Sequence, residues 1–211
     1  MGKALGEQFC ELWQTVAWVN MEWTQFVDLF GSKPSRVELL NQTAPAFFRI
    51  VQDSLWKEIV LTIARLTDPA LSSGKTNLTL CNLPDLVDDS ATRETVSALI
   101  TQLLVAAKFC RDWRNRHIAH ADLSLALKKS STPLETASRK QVDETLSLIV
   151  DVLNAVERHY ADSETYFKGY RPLGGAMSLL YVLDDGIRKG AKRRERRSRG
   201  QISEEDYPRD I

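Results

Sequence analysis

Ala98-Leu99-Ile100-Thr101-Gln102-Leu103-Leu104-Val105-Ala106-Ala107-Lys108-Phe109-Cys110 places apolar side chains on almost every side of a helix, interrupted by Thr101, Gln102 and Lys108. A helix that is apolar all round belongs at the centre of a bundle, so this run points to an all-α fold. It sits in a predicted helix from about Ala91 to Ala121. Neither it nor any other stretch reaches the roughly 18 uninterrupted apolar residues that a membrane span needs.

Working outward, the same periodicity continues on both sides. Phe9, Leu12, Trp13, Val16, Val19, Trp23 and Phe26 recur at three- and four-residue steps and mark a first helix ending near Gly31. Ser35-x-x-Glu38 has the spacing of a capping box for a second helix, which Pro45 splits or kinks. Phe48, Val51, Leu55, Ile59, Ile63 and Leu66 form the next stripe, closed by Asp68-Pro69. Residues 68–90 are rich in Ser, Gly, Pro, Asn and Asp and read as a loop with one short helical turn. Beyond the central helix, Ser138-x-x-Gln141 predicts a second capping box before the stripe Val142, Leu146, Ile149, Val152, Leu153, Val156 and Tyr160. A last helix begins near Leu173. No alternating strand pattern and no repeat is present, so the expectation is one helical bundle of five or six helices over residues 1–188. A basic, then acidic and partly disordered tail is expected over 189–211.

Composition narrows the function classes. The chain has 211 residues, 43% hydrophobic and 27% charged, enough apolar surface for one core. Basic and acidic residues each number 28, so the protein as a whole has no general attraction for nucleic acid, and any such affinity must be local. Three widely spaced cysteines, Cys10, Cys81 and Cys110, form neither a disulfide framework nor a zinc motif and suit a reducing cytoplasm. The first residues carry no secretory apolar block and no myristoylation signal.

The chemistry-bearing residues concentrate at Arg111-Asp112-Trp113-Arg114-Asn115-Arg116-His117-Ile118-Ala119-His120. At about 100° per residue, Arg114 falls in the stripe of Val96, Ile100, Leu103, Ala107 and Ile118, where the pattern calls for core. A guanidinium is costly to bury alone. Arg114 must therefore meet a carboxylate, a second subunit or a phosphate-bearing ligand, and Asp53, Glu58 and Asp68 are the candidate acids. The plainer alternative is a snorkelling or paired arginine and a histidine that complements the helix dipole.

Arg114-Asn115-Arg116-His117-Ile118-Ala119-His120 resembles the signature of the HEPN superfamily, an arginine and a polar residue followed after four to six positions by a histidine. Asp53-Ser54-Leu55-Trp56-Lys57-Glu58, Ala64-Arg65-Leu66-Thr67-Asp68-Pro69 and Arg-Asn-x-x-Ile-Ala-His are similar to its AbiU-like abortive-infection branch, over about residues 10–185. The resemblance implies a metal-independent endoribonuclease of a toxin or antiphage system, a homodimer acting on RNA, with an antitoxin as a further partner. His120 would be the general base or acid and Arg114 would hold the scissile phosphate. Asn115 would orient the phosphate or His120. Arg116, His117 and Arg111 would contact RNA.

Positions six apart on a straight helix point about 120° away from each other, so Arg114 and His120 do not share a face. Their convergence requires the long arginine side chain, a bend between them, or a second protomer. A rival frame exists, because Arg111 and His117 are also separated by five residues. Two histidines three apart, with no Glu in zincin spacing, give no metal site, and no cofactor is expected. Lys189 to Arg199 could supply local phosphate attraction or form a solvated tail. The tryptophans read as packing residues. The contrasting function class is a non-catalytic helical module that binds RNA, nucleotide or protein through the same surface.

Overall fold

Residues 1–119, 123–127, 129 and 133–207 are described by the structure, a computed structural model. The expected periodicities are realised as α1 (Lys3–Phe26), α2 (Pro34–Thr43), α3 (Pro45–Leu66), α4 (Leu83–Leu86), α5 (Ser90–Ala106), α6 (Lys108–Trp113), α7 (Leu123–Ala126), α8 (Arg139–Ala161) and α9 (Ala176–Ser198). The fold is mostly helical, but the described residues form nine helices, not five or six. Of the additions, α4 is the short turn expected within residues 68–90, and α7 is a single turn too short to show a period.

The third addition comes from a break in the central helix at Ala107, whose ψ is 3°. No glycine or proline signals it. The carbonyls released there are taken by side chains: Arg111 Nη2 donates to Leu104 O at 2.5 Å and Thr145 Oγ1 to Ala106 O at 3.4 Å. Side chains inserted into the backbone ladder are a recognised cause of such kinks. A widened turn with i+5 hydrogen bonding, Arg114–Ile118, then ends the helix and closes with Ala119 N donating to Arg114 O at 2.8 Å.

Other local expectations divide. Ser138 and Gln141 do form the reciprocal capping box at the start of α8. Ser35 does not cap α2, because Lys33 is the cap residue and Pro34 opens the helix, its fixed φ already helical. The loop after α3 contains a small antiparallel hairpin, β1 (Leu71–Ser72) with β2 (Lys75–Thr76). Ser73 and Gly74 join them, both at positive φ, as a two-residue hairpin turn requires. Strands of two residues are too short to show alternation, which is why the sequence pattern missed them.

The chain folds as two compact units. The first comprises Met1–Thr24 and Asp53–Tyr170, the second Gln25–Gln52 and Arg171–Ile211. In the first, Leu12, Val16 and Val19 of α1, Ile59, Val60 and Ile63 of α3, Val96 and Leu103 of α5, and Ile149, Val152 and Leu153 of α8 are almost fully buried. Each contributes about 1.5–3 kcal/mol on leaving water. The second has its own core of Leu29, Leu40, Phe48, Ala176 and Leu180, with Phe30, Leu39, Val51, Met177 and Leu183 around it. The basic run that begins at Lys189 is the outer half of α9, helical to Ser198. Among the described residues no helix is long and apolar enough to cross a membrane.

Candidate active site

The first unit builds the site around the end of the central helix. α3 ends at Leu66, and the fully buried Thr79 fixes the chain just beyond it: its hydroxyl lies within donating distance of Leu66 O (2.9 Å) and Asp68 O (2.7 Å), which share its one proton. Asn77 Nδ2 donates to Pro69 O at 2.8 Å. This places the Asp68 carboxylate against Arg114, whose Nη1 donates to Asp68 Oδ1 in a salt bridge. Both side chains are about one-fifth exposed. The arginine at a core-facing position has met a carboxylate, one of the three candidate acids; Glu58 instead pairs with Arg65 at 3.4 Å.

A second acceptor fixes the guanidinium plane. Arg114 Nε donates to Asn115 Oδ1 at 3.0 Å. Nη2 makes no hydrogen bond among the described residues. An arginine locked at two donors with an edge to spare is set up to grip an oxyanion bidentately or end-on.

Arg111 is employed differently. Its Nη1 donates to Thr67 O at 3.3 Å, beside the negative end of the α3 dipole, and its Nη2 to Leu104 O. The guanidinium therefore knits two helix ends together. Arg116 is one turn along from Asp112, with Nη1 at 3.3 Å from Oδ1 and 3.2 Å from Pro133 O. His117 is exposed and packs edge-on against Trp113, ring centroids 5.6 Å apart. Trp113 in turn meets Trp56 edge-on at 5.9 Å, and Trp56 meets Trp23 at 6.4 Å, so these tryptophans pack against one another. His120 lies outside the described residues. The helix does change character between Arg114 and Ile118, the second of the three routes by which Arg114 and His120 could converge.

Sequence reasoning missed the residues that hold this region in place. The segment after Pro133 is pinned to α6: Glu135 N donates to Asp112 Oδ2 (2.8 Å), Trp113 Nε1 to Glu135 O (2.9 Å) and Lys108 Nζ to Glu135 Oε1 (2.8 Å). No periodic signal marks Thr79, Asp112 or Glu135, because each acts through bonds to residues distant in the sequence. Cys110, buried beside them, has its thiol pushed up by burial, which outweighs the nearby Arg111 charge, and so stays protonated and unreactive. Among the described residues no cluster of His, Cys, Asp and Glu could hold a metal ion.

In this mostly helical unit an Arg-Asn pair, its arginine clamped by a carboxylate, opens the widened turn at the end of the central helix. The family model of AbiU2, a HEPN branch, matches residues 2–173, and the chain belongs to that family. No curated protein and no solved structure matches it.

Proposed function

We propose that this protein is a metal-independent endoribonuclease of a toxin or antiphage, abortive-infection system, working as a cytoplasmic homodimer with Arg114 and His120 at the subunit seam. The observation that carries the reading is Arg114, oriented by Asp68 and Asn115 with Nη2 still available for a phosphate oxygen. In the reaction, His120 accepts the ribose 2′-hydroxyl proton as O2′ bonds to phosphorus. The P–O5′ bond breaks, and the leaving oxygen takes a proton. The products are a 2′,3′-cyclic phosphate and a 5′-hydroxyl. Arg114 stabilises the charge that builds on the phosphoryl oxygens. Asn115 acts by holding Arg114, and Arg116 and His117 contact the flanking RNA. The frame Arg114/His120 is favoured over Arg111/His117 because both terminal nitrogens of Arg111 already serve backbone carbonyls.

The test incubates wild type, Arg114→Ala, His120→Ala, His117→Ala and Asp68→Asn with a mixed RNA pool in EDTA and determines the chemistry of new ends. Wild type is expected to leave cyclic phosphates. Arg114→Ala and His120→Ala should lose on the order of 10²- to 10³-fold. Asp68→Asn, which releases the guanidinium without removing it, should lose on the order of 10-fold. Cleavage that survives both Arg114→Ala and His120→Ala but fails in His117→Ala moves the site to the rival frame. Folded wild-type dimer that leaves every RNA intact supports instead a helical module that binds RNA, nucleotide or protein.

A further inference from the structure

We propose that the outer half of α9 is an RNA-backbone binding arm, in which Lys189, Lys192, Arg193 and Arg196 form a phosphate-gripping stripe that the chain's own Asp206 partly occupies.

The stripe follows from helical spacing. These four residues stand at i, i+3, i+4 and i+7, so they share one face over about 10 Å of helix. Residues 188–199 contain eight basic residues against one acidic, in a chain whose total is neutral. Packing does not explain them: the buried residues of α9 are Ala176 and Leu180, both in its first half. Nor does internal pairing. Among the described residues Lys189, Lys192 and Arg193 have no ion pair, whereas Arg188 is taken by Asp184 and Arg199 by Glu195. Three like charges on little more than one turn repel one another unless an anion lies along them.

The end of the helix shows what kind of group the stripe accepts. α9 stops in a Schellman turn: Gln201 N donates to Arg196 O (2.9 Å) and Gly200 N to Arg197 O (3.1 Å), with Gly200 at φ +73°. The chain then doubles back, and Asp206, 1% exposed, pairs with Arg196 while its carbonyl accepts Arg197 Nη2 at 2.5 Å. Its carboxylate also accepts Ser203 N at 3.1 Å. Arg196, with the nearby Ser203 amide, holds that carboxyl below its ordinary value, so it stays ionised. A carboxylate sits near a helix C-terminus against the dipole only where cations hold it. Asp206 thus fills the last anion position of the stripe and leaves the preceding ones open.

The choice of RNA among polyanions rests on the nuclease reading; the phosphate chemistry does not. The stripe makes no base-specific contact, so it raises affinity for any RNA and leaves sequence preference elsewhere. The family match ends at residue 173, so the arm lies outside the matched region.

The test measures fluorescence anisotropy of a labelled single-stranded RNA over a range of NaCl, with the full chain carrying His120→Ala so that no cleavage intervenes. Adding Lys189→Glu, Lys192→Glu and Arg193→Glu together is expected to weaken binding at least about 10-fold at 0.1 M salt. The slope of log affinity against log salt should fall by about 2. Asp206→Asn is expected to tighten binding about threefold, since it removes the carboxylate charge that competes with phosphate at Arg196. Circular dichroism establishes that helix content is kept. The proposal is overturned if the triple variant binds RNA with unchanged affinity and slope. It is equally overturned if vesicles containing phosphatidylserine bind in a stripe-dependent way while RNA does not. Anisotropy reads binding alone, so a wild type that cuts no RNA sinks the nuclease reading without touching this result, and the converse also holds.

Discussion

Asp28, at the start of the second unit, is only 2% exposed and receives both Arg36, at 3.2 Å, and Arg171, at 2.8 Å. Burial pushes its carboxyl up, but the hydrogen bonds and charges of Arg171 and Arg36 outweigh that and hold it below the usual aspartate value. A carboxyl that is more acidic folded than unfolded stabilises the fold once pH exceeds its unfolded value, near 4. That stabilisation is lost as pH falls through the folded value. Asp28→Asn should therefore cost about 2 kcal/mol at pH 7 in urea unfolding, and the gap to wild type should narrow below about pH 4. An equal gap at pH 7 and pH 3 would show that the charge does not matter. Asp28 and Asp68 differ in how far the sequence exposed them. Arg114 at a core position called for a carboxylate, a second subunit or a phosphate-bearing ligand, with Asp68 among three candidate acids, whereas nothing in a helical pattern called for partners for Asp28, whose arginines lie eight and 143 residues away.

At the scale of elements, boundaries were legible where local chemistry makes them and obscure where distant groups do. The Ser138 cap belongs to the first kind. Its Oγ accepts from Gln141 N, and Ser138 N donates back to the Gln141 side chain at 2.9 Å. Ser138→Ala should remove about 1 kcal/mol, about 3 °C in Tm, and fray the first turn of α8, which hydrogen exchange at 139–142 would read. Unchanged exchange there would mean that packing of Val142 alone fixes the helix start. The break at Ala107 belongs to the second kind. Alanine is the best helix former, and the sequence Leu103 to Cys110 favours an unbroken helix. Only Arg111 and Thr145, whose side chains take the released carbonyls, make the break tolerable. The widened turn at Arg114–Ile118 was equally hidden, since nothing local in Arg-Asn-Arg-His-Ile asks for it. The outer half of α9 shows a third case: its charges read as a solvated tail, and they stand on a helix that ends in a Schellman turn and the Asp206 clasp, neither of which a charge run announces.

At the scale of the whole molecule, the question is whether one protomer can assemble the reactive groups. Six residues on a straight helix separate Arg114 and His120 by about 120°, and the departure from a straight helix between them, within the described residues, is the widened turn. A two-fold seam offers another solution, because it presents each residue twice and lets the arginine of one protomer serve the histidine of its partner. The two solutions part on mixing. Arg114→Ala and His120→Ala are each inactive under the nuclease reading. If each site draws Arg114 from one protomer and His120 from the other, a mixed dimer has one site with both substitutions and one site intact. Half the dimers in an equal, fully exchanged mixture are mixed, so about a quarter of wild-type cleavage should return. If each protomer supplies both residues to its own site, every site in the mixed dimer lacks one of them, and nothing returns. Co-expression of the two variants with different affinity tags isolates the mixed dimer, where the first arrangement gives about half of wild-type cleavage. Restoration would place the seam at the end of the central helix, and silence from a verified mixed dimer would assign the convergence to the widened turn within one chain.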